Sequence, residues 1–472
     1  MQSSRLTKII ATLGPASWDS KSIEALINAG TNVFRINCSH SDINTRTDLF
    51  NTIRSIAKNM DKRVGILLDL QGPKIRVGKV NNNEIILNEK KKVIVTSEEM
   101  LGTEEKFRVV NLDQVIDDLK EGNRLLLDDG LLELRLLKKI DKNNIECEIV
   151  FGGVLKNGKG VNFPDSHLRN IGALTEKDLI DLKHGLENKV SLVALSFVRS
   201  ADDIKLIKSY IPKESMVKII AKIEKPQALD ELDAILKVSD GIMVARGDLG
   251  VEIAYEKLPA LQKKIIQKAN DANVLVITAT QMLESMINSP RPTRAEVTDV
   301  ANAIFDGTDA IMLSGETASG KFPVLAVETM HKIALEAESV APRVRHDAVS
   351  VQENLARTAC ELAERVKATA IASFTLSGKT AILISKQRPP VKVIALTQNE
   401  IISGQLSLFW GITPLLLTDV FNTEAMMDLV EKSLLEKNVV HPGDLIIVTG
   451  GLPISDRGES NFVKIHKCEG KS

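Results

Sequence analysis

Eight short apolar segments, most of them followed by a helical pattern, constrain the fold of this 472-residue chain more than any other feature. Runs of β-branched residues that alternate with amphipathic helices are typical of parallel βα units. Eight strands, each with a following helix, are the count of a (β/α)8 TIM barrel, which we therefore predict. The candidate strands are Lys8–Thr12, Asn32–Asn37, Arg63–Leu70, Val190–Phe197, Met216–Ile223, Gly241–Ala245, Val274–Thr280 and Ala310–Leu313.

The helical pattern is interrupted between the third and fourth candidate strands. From residue 71 to residue 170, short segments of alternating polarity are separated by turn signals such as Asp129-Gly130 and Asn157-Gly158. This pattern predicts a small all-β domain inserted into a barrel loop, where an insertion adds little loop-closure entropy. A domain at the carboxyl end of the barrel strands would lie over the face where such barrels bind substrates, so we predict that it is a lid.

A second α/β pattern begins after residue 341 and predicts a smaller, open α/β domain. The predicted α/β architecture therefore has three parts. The barrel domain comprises residues 1–70 and 171–341, the inserted β-barrel lid comprises residues 71–170, and the C-terminal domain comprises residues 342–472.

Composition excludes several classes of protein. Lys and Arg (61) nearly balance Asp and Glu (62), and without a dense basic cluster nucleic acid is not an expected partner. The four cysteines form no CxxC pair, which argues against a zinc site or a disulfide framework. The sequence has neither an apolar run of about 18 residues nor a signal-like N-terminus, so we expect a cytoplasmic protein without membrane contact.

The second predicted strand has an unusual polar face. Side chains alternate between the two faces of a strand, so Arg35, Asn37 and Ser39 share one face while Cys38 belongs to the apolar one. Buried polar groups without partners are costly, and this face therefore needs a ligand or neighbouring polar residues.

Other predicted strands also end in polar residues, namely Asp69, Lys222 and Glu224, Arg246 and Asp248, Thr278 and Thr280, and Ser314 and Glu316. Lys222 and Glu224 are two residues apart and share a face, while Asp248 follows the neighbouring strand. Two carboxylates on adjacent strands can bind one hard divalent cation such as Mg²⁺. For Lys222 and Glu224 taken alone, a plain ion pair at the barrel rim is the alternative.

The loop Thr375–Thr380 follows a strand of the C-terminal domain and begins a helix. Backbone N–H groups at a helix N-terminus, together with hydroxyl groups, can hold a phosphate. Ser373 stands where a P-loop requires its first glycine, so nucleotide binding of that type is rejected. N-capping of the helix by Ser377 is the structural alternative.

In combination, these segments resemble the pyruvate kinase family along essentially the whole chain. The matching stretches are residues 8–17, 34–40, 68–76, 159–162, 222–226, 243–250, 278–286, 292–297 and 312–317. The resemblance implies transfer of the phosphoryl group of phosphoenolpyruvate to ADP, giving pyruvate and ATP in the final step of glycolysis. It also implies a homotetramer.

The resemblance assigns roles to individual residues. Glu224 and Asp248 would bind Mg²⁺, or Mn²⁺ in its place, while Lys222 and Arg35 would contact the transferred phosphoryl group. Phosphoenolpyruvate would be lined by Arg35, Gly247, Asp248 and Thr280, with Thr280 near the carbon that is protonated. ADP or ATP would contact Asn37, His40, Arg76 and Lys159.

Lys74 departs from the commoner family pattern, which has an acidic residue at this position. In that larger group, positions matching Asn37, Ser39, Asp69 and the Leu70 carbonyl hold K⁺. A fixed ammonium group can supply the missing positive charge, so we predict that K⁺ is not required.

The resemblance also implies a phosphorylated sugar or nucleotide effector at Thr375, Ser377, Gly378, Lys379 and Thr380. Two alternatives to this family are another Mg²⁺ barrel that handles phosphoenolpyruvate and a catalytically silent scaffold. The inserted domain with Lys159 argues against a lyase barrel, and the intact polar strand ends argue against a scaffold.

Overall fold

In a computed structural model, residues 5–166, 168, 170–342, 347–417, 423–451 and 459–470 are described. The chain begins with the first three strands of a barrel and their helices. These elements are β1 (Lys8–Leu13), α1 (Ser20–Ala29), β2 (Val33–Asn37), α2 (Ile43–Asn59) and β3 (Gly65–Asp69). Asp19 and Asp42 cap the two helices by accepting hydrogen bonds from Ser22 N and Thr45 N.

A separate β domain follows β3. Its elements are β4 (Glu84–Leu87), β5 (Lys92–Thr96), β6 (Lys106–Arg108), α3 (Leu112–Val115), β7 (Arg124–Leu127), β8 (Leu132–Lys139), β9 (Asn144–Phe151), β10 (Gly153–Lys156) and β11 (Val161–Asn162), with 3-10 turns at Asn81–Asn83 and Ile116–Asp118. In the described residues, the strands form one sheet in the order β11-β7-β8-β9-β5-β6 and a pair β10-β4. Their apolar faces enclose a core around Phe107 and Leu134.

The chain then returns to the barrel and completes it. The elements are α4 (Glu176–Glu187), β12 (Leu192–Leu195), α5 (Ala201–Ser209), β13 (Lys218–Ile223), α6 (Pro226–Asp230), α7 (Leu232–Val238), β14 (Gly241–Ala245), α8 (Arg246–Glu252), α9 (Leu258–Asp271), β15 (Leu275–Ala279), α10 (Arg294–Phe305), β16 (Ala310–Leu313), α11 (Gly315–Ala318) and α12 (Pro323–Val340), with 3-10 turns at Tyr255–Lys257 and Glu284–Ile287. Across the described ranges, eight parallel strands close in the order β1-β16-β15-β14-β13-β12-β3-β2.

The last domain is an open sheet with helices. It contains α13 (Val351–Arg365), β17 (Ala370–Phe374), α14 (Lys379–Lys386), β18 (Lys392–Thr397), α15 (Glu400–Leu406), β19 (Ile412–Leu416), α16 (Thr423–Glu436), β20 (Leu445–Gly450) and β21 (Phe462–Lys467). Its described strands are ordered β19-β18-β17-β20-β21, and β21 alone runs antiparallel to its neighbour among the described pairs. The predicted barrel, inserted β domain and C-terminal α/β domain are confirmed, while their limits at residues 70/71, 170/171 and 341/342 stay a prediction. Residues 1 and 472, which end the predicted domains, lie outside the described residues.

The C-terminal domain packs against the amino end of the barrel. Inward-facing barrel residues such as Ile220 and Met312 belong to the same apolar cluster as Ala359 and Phe409 of the last domain. The backbones touch where β3 meets α15, since a Cβ placed on Gly65 would lie 2.4 Å from the carbonyl oxygen of Gly404. The amino end of the barrel is thus covered, and its carboxyl end faces the inserted domain.

A fully buried ion cluster joins the same two domains. Lys386 Nζ lies 2.6 Å from Asp309 Oδ2, and Arg388 lies 3.0 Å from the other carboxylate oxygen. Lys386 also donates to the carbonyl of Val274, so each buried charge has a partner. Among the described residues, no helix combines the length and apolar character needed to cross a membrane.

Candidate active site

The carboxyl ends of β2 and β3 bring Arg35 and Asp69 together. Arg35 Nε donates to Asp69 Oδ2 at 2.7 Å, and its terminal nitrogen Nη1 donates to Thr12 Oγ1 at 3.1 Å. Both side chains are almost completely buried. On the polar strand face predicted from alternation, Arg35 therefore has hydrogen-bond partners inside the protein. Asp69 holds the guanidinium group of Arg35 in a fixed orientation.

Lys222 lies at the centre of the site. Its Nζ is 2.9 Å from Glu224 Oε1 and 3.3 Å from Asp69 Oδ1, and it donates to Ser196 Oγ at 2.8 Å. Burial opposes the charged form, but the carboxylates of Asp69 and Glu224 outweigh it and raise the pKa of Lys222. The ammonium group is therefore charged at neutral pH and oriented by partners from β3, β12 and β13.

Glu224 is fully buried and only half satisfied. Its Oε2 accepts a hydrogen bond from the backbone N–H of Phe197 at 2.7 Å, while Oε1 has no partner in hydrogen-bond geometry despite the nearby Lys222 Nζ. Burial raises the pKa of Glu224; Lys222 opposes this shift, and the negative charge of Asp248 adds to it. An incompletely paired buried carboxylate beside a second carboxylate fits a hard divalent cation such as Mg²⁺.

Lys74 enters this site from the base of the inserted domain. Its Nζ lies 3.3 Å from Asp248 Oδ1 in a half-buried ion pair. The ammonium group is thus close to the predicted divalent-cation pair rather than isolated on the surface.

The four predicted K⁺ ligands lie on neighbouring chain segments, since Asn37 pairs with Asp69 in the register of β2 and β3. Three of them already have internal donors: Asn37 Oδ1 accepts from Ser39 N, Asp69 from Arg35, and the Leu70 carbonyl from Ser196 Oγ. The fourth predicted ligand, Ser39, donates its backbone N–H to Asn37, and these hydrogen bonds do not involve its hydroxyl group.

Thr280 follows β15 in a strained conformation. Its φ of 69° and the φ of 54° at Gln281 place two successive non-glycine residues in the left-handed region. Thr280 Oγ1 accepts a hydrogen bond from Gly247 N at 2.7 Å, and Arg246 donates to the Thr280 carbonyl at 2.7 Å. Arg246 also pairs with Asp299 at 2.6 Å, so it fixes this loop from below.

The predicted nucleotide residues lie where the inserted domain joins the barrel. Arg76 donates to the Gly158 carbonyl at 2.9 Å, and Lys159 pairs with Asp128 at 2.7 Å. Partial burial lowers the pKa of His40, and the cations Arg76, Arg35 and Lys74 lower it further. His40 is therefore neutral at physiological pH and lies within the electrostatic reach of the positively charged site.

The loop Thr375–Thr380 begins α14 through Gly378, which has a φ of 86° and no side-chain cap. N-capping by Ser377, the structural alternative, is therefore wrong. Ser377 and Lys379 are exposed, and the hydroxyl groups of Thr380 and Ser460 are hydrogen-bonded. The loop presents Ser377 and Lys379 to solvent in the C-terminal domain, apart from the barrel site, whereas Thr375 is buried.

Two residues of the site were not predicted from the sequence. Ser196 connects Lys222 to the Leu70 carbonyl, and Phe197 presents its backbone N–H to Glu224 with a φ of 56°. Both residues directly follow β12, the fourth barrel strand of the structure. This position could have suggested them, because every other strand end of the site carries a polar residue.

Comparison with known proteins places the chain in a family. The model for the pyruvate kinase barrel domain matches residues 4–327, and the model for the pyruvate kinase alpha/beta domain matches residues 353–466. A pyruvate kinase from Geobacillus stearothermophilus is 42% identical, and one from Staphylococcus aureus (strain MRSA252) is 43% identical, each over 98% of this chain and 80% of the relative.

A solved structure is similar over nearly the full length. The crystal structure of a pyruvate kinase from Cryptosporidium parvum matches with a TM-score of 0.90 and 35% sequence identity, covering 98% of this chain and 96% of that one. Both domain models and these relatives agree with the barrel, the inserted domain and the C-terminal domain described above. The chain belongs to the pyruvate kinase family.

Proposed function

We propose that this chain transfers the phosphoryl group of phosphoenolpyruvate to ADP and releases pyruvate and ATP. The observation that carries the proposal is the convergence of Lys222, Arg35, Glu224 and Asp248 at the carboxyl end of one barrel. Phosphoryl transfer needs chiefly positioning and neutralisation of charge, and this arrangement supplies both.

Lys222 and Arg35 provide fixed positive charge for the transferred group. Both cations are oriented by Asp69, so little reorganisation is needed when the phosphoryl group arrives between donor and acceptor. Mg²⁺, held by Glu224 and Asp248, would neutralise phosphoryl oxygens and the enolate oxygen when bound. Burial of these residues excludes water and strengthens each electrostatic interaction.

Phosphoenolpyruvate binding is assigned to Arg35, Gly247, Asp248 and Thr280. Gly247, which precedes Asp248 in sequence, donates its N–H to the Thr280 hydroxyl group, so this hydrogen bond brings Thr280 to the segment that carries Asp248. Loss of the phosphoryl group leaves an enolate, whose terminal carbon takes a proton to give pyruvate. Thr280 lies next to that carbon in this proposal, and the proton donor is not assigned.

ADP binding is assigned to the hinge between the barrel and the inserted domain. Arg76 and Lys159 would contact the nucleotide, and Asn37 with neutral His40 would lie near its phosphates. Asn162 Nδ2 donates to Glu252 Oε1 at 2.6 Å, which ties the inserted domain to the barrel beside the site. Such a contact supports a lid that closes over bound substrate.

Activity without K⁺ is the second part of the proposal. Members of the family generally use Mg²⁺ and K⁺, but Lys74 supplies an ammonium group 3.3 Å from Asp248. Lys74 therefore adds a fixed positive charge next to the divalent-cation site.

Regulation by a phosphorylated sugar or nucleotide is assigned to Thr375, Ser377, Gly378, Lys379 and Thr380, and the functional unit is proposed to be a homotetramer. An exposed lysine and hydroxyl groups at the start of α14 suit a phosphate group. An effector bound there would act by favouring one of two quaternary states.

The decisive experiment is a coupled assay of ATP formation from phosphoenolpyruvate, ADP and Mg²⁺, with and without K⁺ and a panel of phosphorylated effectors. We expect stoichiometric pyruvate and ATP, detected together by ³¹P and ¹H NMR. Absence of ATP formation under every condition would overturn the proposal, and formation of another phosphoenolpyruvate product would favour a different barrel enzyme.

A further inference from the structure

The C-terminal domain contains a cluster of three metal-ligating side chains that the barrel chemistry does not use. Glu431 lies on α16, His466 lies on β21, and Cys468 follows β21 directly. One ligand atom from each side chain lies within 4.8 Å of the other two. Among the described residues, no other group of three His, Cys, Asp or Glu side chains meets this distance.

The carboxylate of Glu431 is already oriented. Its Oε1 accepts hydrogen bonds from the backbone N–H groups of Glu469 and Gly470 at 2.7 and 2.8 Å. Its Oε2 lies 2.7 Å from His466 Nε2. One oxygen is thus anchored by the backbone, and the other holds the imidazole through a hydrogen bond that a bound cation would replace. Backbone support of this kind is typical of metal ligands.

The backbone of Cys468 is fixed by hydrogen bonds on both sides of its thiol-bearing carbon. Cys468 N donates to the Asp444 carbonyl at 2.9 Å, and Gly443 N donates to the Cys468 carbonyl at 2.7 Å. The residue has no exposed surface, whereas the His466 and Glu431 side chains are 19% and 12% exposed. The cluster is therefore closed on the thiol side and open to solvent on the imidazole side, which leaves room for a water ligand.

From this arrangement we propose that Glu431, His466 and Cys468 form a binding site for Zn²⁺. A thiolate, an imidazole and a carboxylate are ligands that Zn²⁺ accepts at about 2.0–2.3 Å, whereas Mg²⁺ prefers oxygen ligands only. Three protein ligands and one water complete a tetrahedral shell. The ion would join α16 to the segment after β21 and so stabilise the C-terminal domain.

Binding requires a change of protonation. Burial, with the carboxylates of Glu431 and Asp444, raises the pKa of Cys468 to about 11, so the free protein carries a thiol. Coordination forms the zinc–sulfur bond, and the thiol proton is released to solvent. Coordination also displaces the proton that lies between His466 Nε2 and Glu431 Oε2: solvent takes it up, and the neutral imidazole then carries its one proton on Nδ1 and presents the Nε2 lone pair.

Co²⁺ is the probe, because cobalt bound to a thiolate absorbs in the near ultraviolet and cobalt bound to oxygen ligands does not. The full chain is titrated with Co²⁺ in a large excess of Mg²⁺, which occupies the barrel site. We expect one thiolate–cobalt band per chain, its loss on addition of Zn²⁺, and a raised thermal midpoint with Zn²⁺. Since loss of even an outer hydrogen-bond partner of a ligand costs about 10–100-fold in metal affinity, loss of the Glu431 carboxylate ligand in Glu431→Gln should weaken binding at least tenfold.

Cys468→Ser should abolish the band, and Cys147→Ser, which removes a buried thiol of the inserted domain, should leave it unchanged. If Cys468→Ser fails to fold, Glu431→Gln and His466→Gln keep the thiol and still test the ligand set. No band in the folded wild-type chain would overturn the proposal, as would a band that survives Cys468→Ser. The readout is spectroscopic and does not depend on the proposed activity.

Discussion

Lys222 can be tested against a lysine of the same strand. Lys222→Met removes the charge that Asp69 and Glu224 hold in place, and we expect kcat to fall on the order of 10²–10³-fold, as for loss of one preorganised electrostatic contact. The KM for phosphoenolpyruvate should change much less. Steady-state kinetics in the coupled assay measure both constants.

Lys218→Met is the matched control, because Lys218 begins β13 at the opposite end of the barrel and pairs with Asp240 at 3.6 Å. Its kcat should stay near that of the wild type. Equal losses in the two variants would contradict the role given to Lys222 and would indicate general damage to the strand.

Lys74 allows a test of the proposal that the enzyme does not require K⁺. The wild-type chain should be equally active in Na⁺-free, K⁺-free buffer and in buffer with added K⁺. Lys74→Glu replaces the ammonium group near Asp248 with a carboxylate, so activity should fall without K⁺ and recover when K⁺ is added. Large activation of the wild type by K⁺ would disprove the prediction.

Individual site residues differ in how well the sequence predicts them. Lys222 and Glu224 could be predicted because residues two positions apart in a strand have side chains on the same face. The ion pair between Lys74 and Asp248 joins residues 174 positions apart, and no local pattern encodes such a contact. The backbone N–H that Phe197 gives to Glu224 has no side-chain signature at all.

At the scale of elements, Lys8 connects β1 to β19 and makes barrel stability depend on pH. Its Nζ donates to the Ile412 carbonyl at 2.6 Å. Burial, reinforced by Arg5 and Lys392 and opposed by Glu338, lowers its pKa from 10.5 to about 7. Above pH 7 the unfolded chain binds this proton and the folded chain does not, so this residue makes stability rise with pH up to 10.5.

Lys8→Met removes that dependence. We expect the difference between the thermal midpoints of the wild type and of Lys8→Met to shift in favour of the wild type as the pH rises from 7 to 10. Exposed Lys91→Met serves as the control and should track the wild type at every pH. A difference that stays constant with pH would show that Lys8 does not titrate in this interval.

Elements themselves were the most predictable level. The eight barrel strands coincide with apolar β-branched runs, because a strand buried on both faces needs apolar residues throughout. Helix ends were less predictable: α14 begins at Gly378 in a left-handed conformation instead of at a hydroxyl cap. A glycine can serve there without a side-chain hydrogen bond, and a search for serine or threonine caps misses it.

At the scale of the whole molecule, Lys379 allows a test of the proposed regulation by a phosphorylated effector. If the loop Thr375–Thr380 binds a phosphorylated effector, Lys379→Ala should abolish activation and leave unactivated turnover near the wild-type value. Lys464→Ala, an exposed lysine on β21, is the control and should retain activation. Activation that persists in Lys379→Ala would place the effector elsewhere, and native mass spectrometry would report whether the assembly is tetrameric.

Docking of the C-terminal domain depends on the contact between Gly65 and Gly404. Gly65→Ala would place a methyl group 2.4 Å from the Gly404 carbonyl oxygen, so the domains must separate slightly. Overpacking of this kind costs about 1–3 kcal/mol, and we expect a lower calorimetric midpoint. A Cβ on Gly172 would lie 3.5 Å from its nearest neighbour, the Leu174 carbonyl oxygen, so Gly172→Ala should leave the midpoint unchanged. An unaltered midpoint in Gly65→Ala would show that the contact adjusts freely.

The three-part organisation was predictable because the hydrophobic period changes along the chain. The shared core of the barrel and the last domain was not, since residues as far apart in sequence as Ile220 and Phe409 belong to one apolar cluster. Patterns within a segment report which face is buried, and they do not report what covers it.

The bare backbone contact at Gly65 and Gly404 also limits how this protein can be recombined with its relatives. A hybrid enzyme that takes its last domain from another family member retains this fit only where the donor has glycine at the matching helix position. Any larger residue there would meet Ser191 or the first residue of β3. Exchange of the C-terminal domain would therefore require glycine at both of these positions.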